Sequence, residues 1–147
     1  MSHGRVDRHI QVSLHPSINH STFNLYSGFG QNLFPIVSLG GAGVIDGLAA
    51  FFPKTVVALY KLSSTLPITE EAMSKIRELQ FAVSCAEELV GAHGITGIKE
   101  AVFRVLGMGD VKTSRLPIRA RLTEDEWKVF EADMSRCSEI ENGLKDL

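Results

Sequence analysis

The sequence has few of the signals that announce a chemistry. Cysteine occurs only twice, as Cys85 and Cys137. They are far apart, each inside a helical pattern, with no short spacing that would bind zinc or frame a disulfide scaffold, so both read as reduced, intracellular core residues. No apolar run reaches the roughly 18 residues that a membrane span needs. Residues Met1 to Arg8 lack the apolar centre of a signal peptide, so the expected location is the cytoplasm or an organelle matrix, with no membrane partner. Net charge is only -2, which gives no basic field for nucleic acid. Gly28-Phe29-Gly30 lacks the third glycine of a dinucleotide fingerprint. His3, His9, His15 and His20 are spaced roughly six apart, which suits neither a helical pair of metal ligands nor a zinc finger, and they are expected at the surface.

What the chain does have is apolar content and clear punctuation. Hydrophobic residues make up 44% and charged residues 22%, the balance of a folded globular chain. Its 147 residues suffice for one domain with a core. Val6, Ile10 and Leu14 lie four apart and predict a short helix that His15-Pro16 stops. Thr22 to Tyr26 reads as a strand. Gln31 to Leu39 reads as a helix with Pro35 in its first turn. Ala42 to Ile45 reads as a second strand, buried on both faces and parallel to the first. Pro53 opens a helix ending near Ser63-Ser64, and Thr69 caps a long one that reaches to Ala92. Gly94 to Gly97 is a break, and Ile98 to Leu106 is helical again. From Asp110 to Arg121 the chain is a basic, extended connection. Its Lys112, Arg115, Arg119 and Arg121 are either simply solvated or face an acidic partner or a substrate carboxylate. Thr123 to Glu126 is a capping box for a last helix carrying Trp127, Phe130, Met134, Cys137 and Ile140. Helix and strand alternate up to residue 65, the pattern of an α/β fold with a parallel sheet. Two strands do not make a stable sheet by themselves, so the pattern looks like one end of something larger.

The stretch from Tyr26 to Leu62, YSGFGQNLFPIVSLGGAGVIDGLAAFFPKTVVALYKL, resembles the C-terminal part of the dihydrodipicolinate synthase / N-acetylneuraminate lyase superfamily. That pattern is a strand ending in Ser-Gly, a helix, a Gly-x-x-Gly-Val-Ile strand and a small-residue run ending in Pro. The segments GIKEAVFRVLGM and RLPIRARLTEDEW are similar to the family's tail, so the resemblance extends from Ser2 to Met134. Gly-Leu-Ala before Pro53 is nearest the 4-hydroxy-2-oxoglutarate aldolase-like branch, although Ala50 stands where Asn is common. The resemblance implies an α/β fold that is a partial TIM (β/α)8 barrel. Residues 1–65 would supply the last two strands and their helices, and residues 66–147 a C-terminal helical extension, together one truncated domain. A complete barrel of this kind takes about 250 residues. On this reading the glycines from Gly40 to Gly43 let the closing strands pack tightly, without any phosphate.

Members of that family are class I aldolases or lyases in which a strand lysine forms a Schiff base with a 2-oxo acid; no further cofactor is implied. The lysines Lys54, Lys61, Lys75, Lys99, Lys112, Lys128 and Lys145 all fall in helical segments or the basic connection. Lys99 matches the family's tail lysine, which is not the nucleophile. The resemblance therefore implies that the nucleophile belongs just before Met1, and the proton-relay tyrosine upstream as well. The pocket positions it assigns here are Ser2, two residues after that lysine; Gly28 at the end of the seventh strand; Gly30 and Gln31 near the distal part of the substrate; and Ile45, whose backbone lines the site. Each also has a structural reading: turn glycine, helix N-cap glutamine, core isoleucine. Three functions stay open. The chain is the C-terminal part of a pyruvate-type aldolase or lyase and silent alone; or a catalytically silent homologue that acts as an interaction or homo-oligomerisation module; or a non-functional fragment of a truncated gene. An isolated chain is expected to be oligomeric, aggregated or molten, because its sheet edge and helix faces are uncovered.

Overall fold

A computed structural model describes residues 4–110, 115–118 and 121–144 of the chain. Helix α1 (Val6–Ser13) leads through a turn to strand β1 (Tyr26–Ser27), a 3-10 turn (Gly30–Asn32) and helix α2 (Leu33–Ser38). Strand β2 (Gly43–Val44), a second 3-10 turn (Leu48–Ala50) and helix α3 (Pro53–Ser64) follow. The remainder is the long α4 (Glu70–Leu106), then α5 (Glu124–Lys128) and α6 (Glu131–Gly143). β1 and β2 run parallel, with Tyr26 opposite Gly43 and Ser27 opposite Val44. The ladder extends one bond beyond each end: the Ala42 amide donates to the Leu25 carbonyl and the Ile45 amide to that of Ser27, both at 2.8 Å.

The expected parallel pairing is therefore present, but both strands are shorter than their sequence patterns. Thr22 and Phe23 do not enter the ladder. Asn19 captures them in a turn, its carbonyl accepting both amides and the Thr22 hydroxyl, its side chain accepting from Ser21. Asparagine is well suited to such local turns, and here that preference overrides the strand propensity of Phe and Tyr. β2 is not buried on both faces: Ile45, just past its end, is 74% exposed. Helix α2 starts two residues later than Gln31, after the 3-10 turn. Gly40 ends it with φ at 87°, a left-handed conformation that glycine adopts without strain.

Two further expectations are corrected. The apolar stripe of α1 is not its buried face, since Leu14 is exposed while His9 and Ser13 are buried. The Ser13 hydroxyl bonds to the carbonyls of Ile10 and Leu39. His9, expected at the surface, donates from Nδ1 to the Arg5 carbonyl at 2.8 Å. The last helix is also two, α5 and α6, with a turn at Val129–Phe130 between them.

The long α4 is two helical segments joined across a kink at Gly94, whose φ of 55° and ψ of -134° leave the helical region. This is the break the glycine pair signals. The first half buries Ile76, Leu79, Val83, Ala86 and Leu89 against a core that includes Leu33, Leu48, Phe51, Phe52, Val56 and Leu59. Phe51 and Phe52 are adjacent in sequence and both fully buried, their rings meeting edge to face at 5.0 Å. Thr69 caps α4 through the Ala72 amide, and Thr123 and Glu126 complete the reciprocal box of α5.

The C-terminal helices are tied to the rest by charge as well as packing. Glu141 of α6 accepts the Lys54 and Thr55 amides and the Thr55 hydroxyl at 2.7–2.9 Å, satisfying the free donors at the start of α3. Arg104 grips Glu124 through both terminal nitrogens, reaches Glu100 at 2.9 Å and lies over the Trp127 ring. Of the basic connection, Lys112 and Arg119 lie outside the described residues; Arg115 is exposed, and Arg121 approaches the buried Glu100 at 3.6 Å.

Candidate functional site

Both strands release their chains at one end of the small sheet, β1 into Gly28-Phe29 and β2 into Ile45-Asp46-Gly47. An open cavity of about 500 Å³ lies between β2 and α3. Tyr26, Val44, Ile45, Asp46, Val57 and Tyr60 are among its lining residues, so it is largely apolar with one carboxylate on its wall. Small-ligand sites share that character, a mostly apolar concavity with few polar groups.

The carboxylate is one of a buried pair. Asp46 Oδ1 accepts the Ala49 amide at 3.2 Å. Glu87, from α4, is fully buried, and its Oε1 accepts the Leu48 amide at 3.2 Å. No N–H or hydroxyl reaches Asp46 Oδ2 or Glu87 Oε2. The two carboxyls converge at Gly30, where a Cβ would lie against Asp46 Oδ2 and 3.4 Å from Glu87 Oε1; since an ionised carboxylate only accepts, a proton held by one of them would satisfy the facing oxygens. Burial, and then the charge of Asp46, push Glu87 up to about 8. Burial likewise raises Asp46.

The residues singled out in the sequence are distributed around this pair. Gly30 sits on it: a Cβ there would collide with Asp46 Oδ2 and would stand 3.0 Å from Val83 Cγ1. Gln31 turns the other way. Its amide donates to Glu88 Oε1 at 2.8 Å and to the Ser84 carbonyl at 3.4 Å, so it stitches the 3-10 turn to α4. Gly28 is half-buried in the bend just past β1. Ile45 is not a core residue; it projects at the cavity wall. Ser2 lies outside the described residues. The five described lysines Lys54, Lys61, Lys75, Lys99 and Lys128 stand on helices.

Sequence reasoning missed Asp46, Glu87 and Gln80. Gln80 receives the Phe34 amide and donates to the carbonyls of Gly30 and Gln31. A signal for Glu87 was present: it lies four residues after Val83 and three before Val90, an acid on the apolar stripe of α4.

Among the described residues no group of three His, Cys, Asp or Glu side chains could hold a metal ion. None of the described helices is long and apolar enough to cross a membrane. Both cysteines are free. Burial pushes the Cys137 thiol up to about 12 and raises that of Cys85 as well.

No family model matches the chain. Solved structures do. The 4-hydroxy-tetrahydrodipicolinate synthase from the thermoacidophilic methanotroph Methylacidiphilum fumariolicum SolV superposes on 95% of this chain with a TM-score of 0.75 at 23% identity. A putative dihydrodipicolinate synthase family protein from Coccidioides immitis superposes on 99% with a TM-score of 0.62 at 24% identity. The chain spans less than half of either, 43% and 46% of their lengths. Two parallel strands, each followed by a helix, and a helical extension that packs back on them thus have the fold of part of the dihydrodipicolinate synthase structures.

Proposed function

We propose that this chain is the C-terminal part of a dihydrodipicolinate synthase-type barrel, a Schiff-base aldolase or lyase that acts on pyruvate-like 2-oxo acids. The observation that carries the reading is the likeness over nearly the whole chain to less than half of such enzymes. On this reading β1 and β2 are the closing strands of the barrel. Gly28 and Ile45 then stand at strand ends, where barrel enzymes place their chemistry. The amine belongs to a strand that is not among these 147 residues. An imine-forming lysine needs a desolvated position at the pocket, and every described lysine is on a helix. The chain alone is then catalytically silent.

Trapping tests this. The protein is incubated with pyruvate and borohydride, and its intact mass and peptides are read. The expected result is no pyruvyl adduct on any lysine. A reduced adduct at one lysine, dependent on pyruvate, would show that the chain carries its own nucleophile.

A second reading, an interaction or homo-oligomerisation module, is favoured by the exposure of Tyr26, Ile45, Val57 and Tyr60 around one cavity. Contiguous apolar surface of this kind is characteristic of contact sites.

A further inference from the structure

We propose that Asp46 and Glu87 form a proton-gated latch that holds the exit of β2 against α4 and fixes the wall of the cavity between β2 and α3. The latch does not depend on the enzyme family assigned above. It follows from three features of the fold. First, Glu87 is fully buried with Asp46 half-buried beside it, and Asp46 Oδ2 and Glu87 Oε2 have no N–H or hydroxyl partner, so a shared proton is what would satisfy them. Second, the pair is anchored to backbone on both sides. Leu48 and Ala49, in the turn after β2, donate to these two side chains, and Gly30, in the turn after β1, packs against both. Third, Asp46 and Ala49 belong to the cavity wall, so a shift of this turn reshapes the cavity directly.

Loss of the shared proton leaves two negative charges in contact inside the protein. Their repulsion at low effective dielectric is large. On α4, Lys99 follows Ile98, whose side chain packs against Gly47. On α4 the next acid is Glu88, exposed and bonded to Gln31. The turn after β1 brings Gln31, and α4 brings Gln80 and Ser84. Gly47 is packed by Val90 and Ile98. The cavity side carries the phenols of Tyr26 and Tyr60. The pair therefore responds to release of the proton by separating, and the Asp46–Ala50 turn moves with Asp46.

The sign is that of an acid held protonated. Glu87 binds its proton more tightly in the folded chain than in the unfolded one. Its contribution is complete below the ordinary carboxyl range near 4.5 and is lost as pH rises through about 8.

The test is a titration of the full chain by NMR from about pH 5 to about pH 9, reading the Glu87 and Asp46 side-chain carboxyl carbons with the Leu48 and Ala49 amides. The expected result is one carboxyl that stays protonated well into the neutral range, with both amides shifting at the same midpoint. In Glu87→Gln, a neutral isostere that can still donate to Asp46, the amides no longer respond over that range, and the thermal midpoint no longer falls as pH rises. Asp46→Asn removes the charge beside Glu87 but not its burial; it serves if Glu87→Gln does not fold, and there the midpoint of the amide and thermal profiles is expected to move to lower pH. Two results overturn the latch: both carboxyls titrating in the ordinary carboxylate range in the wild type, or amide and thermal profiles in the folded variants that parallel those of the wild type.

Discussion

Gly30 is the residue whose identity the fold constrains most visibly. Its backbone runs against the two carboxyls, so even a methyl group has no room beside Asp46 Oδ2, Val83 and Glu87. Gly30→Ala is expected to cost about 1–3 kcal/mol, the usual penalty of overpacking. Gly91 gives the opposite case. It is helical and exposed, with nothing within 4 Å of a Cβ, and Gly91→Ala is expected to gain about 0.5–1 kcal/mol from backbone entropy. Urea unfolding of both variants checks the pair, and equal midpoints would mean that the close approach at Gly30 is not real. The sequence marked Gly30 as a pocket glycine without revealing why it is glycine. The reason comes from Asp46 and Glu87, residues distant in sequence, and no local pattern encodes that meeting. His9 teaches the same lesson: its burial depends on which face of α1 meets α2.

At the scale of elements, local signals were read well and distant ones were not. Thr69 and Thr123 cap helices through bonds within three residues, and both were legible. Pro53 was legible as the first residue of α3, but what satisfies the amides behind it was not, because the acceptor is Glu141 near the other end of the chain. This carboxylate is expected to act as a remote N-cap. Glu141→Ala should destabilise the protein by about 1–2 kcal/mol, the range for loss of a capping side chain. It should also loosen α6, and Cys137 reports on that. The thiol is buried on α6 and touches the Thr55 hydroxyl. In the wild type it is expected to resist a thiol reagent until the protein unfolds. In Glu141→Ala it should react faster under native conditions. Unchanged protection together with unchanged stability would assign the capping to packing alone. The strands were over-read for a related reason. Propensity suggested five residues at Thr22–Tyr26, whereas pairing is limited to what the partner strand can match, and Asn19 removes the first two.

For the whole molecule, the alternation of helix and strand made the parallel arrangement legible, and it also indicated that two strands are too few. The structure locates the consequence. Ile45 is 74% exposed, and Tyr26, Val57 and Tyr60 are 37–40% exposed around the same cavity, while β2 has only β1 as a partner among the described residues. A strand edge left without a partner beside exposed apolar side chains attracts further chain. The isolated protein is therefore expected to self-associate, with a mass by light scattering that rises with concentration. Ile45→Lys tests whether this face is responsible. Ile45 contributes little to the core, so its replacement should leave stability within about 0.5 kcal/mol, as for most surface changes. A lysine beside the strand edge is a common obstacle to edge pairing, and the variant should shift toward monomer. Loss of association with an unchanged unfolding midpoint would place the contact on the β2–α3 face. Association that survives the substitution would move it to another surface, and a wild type that stays monomeric at all concentrations would remove the oligomerisation reading altogether.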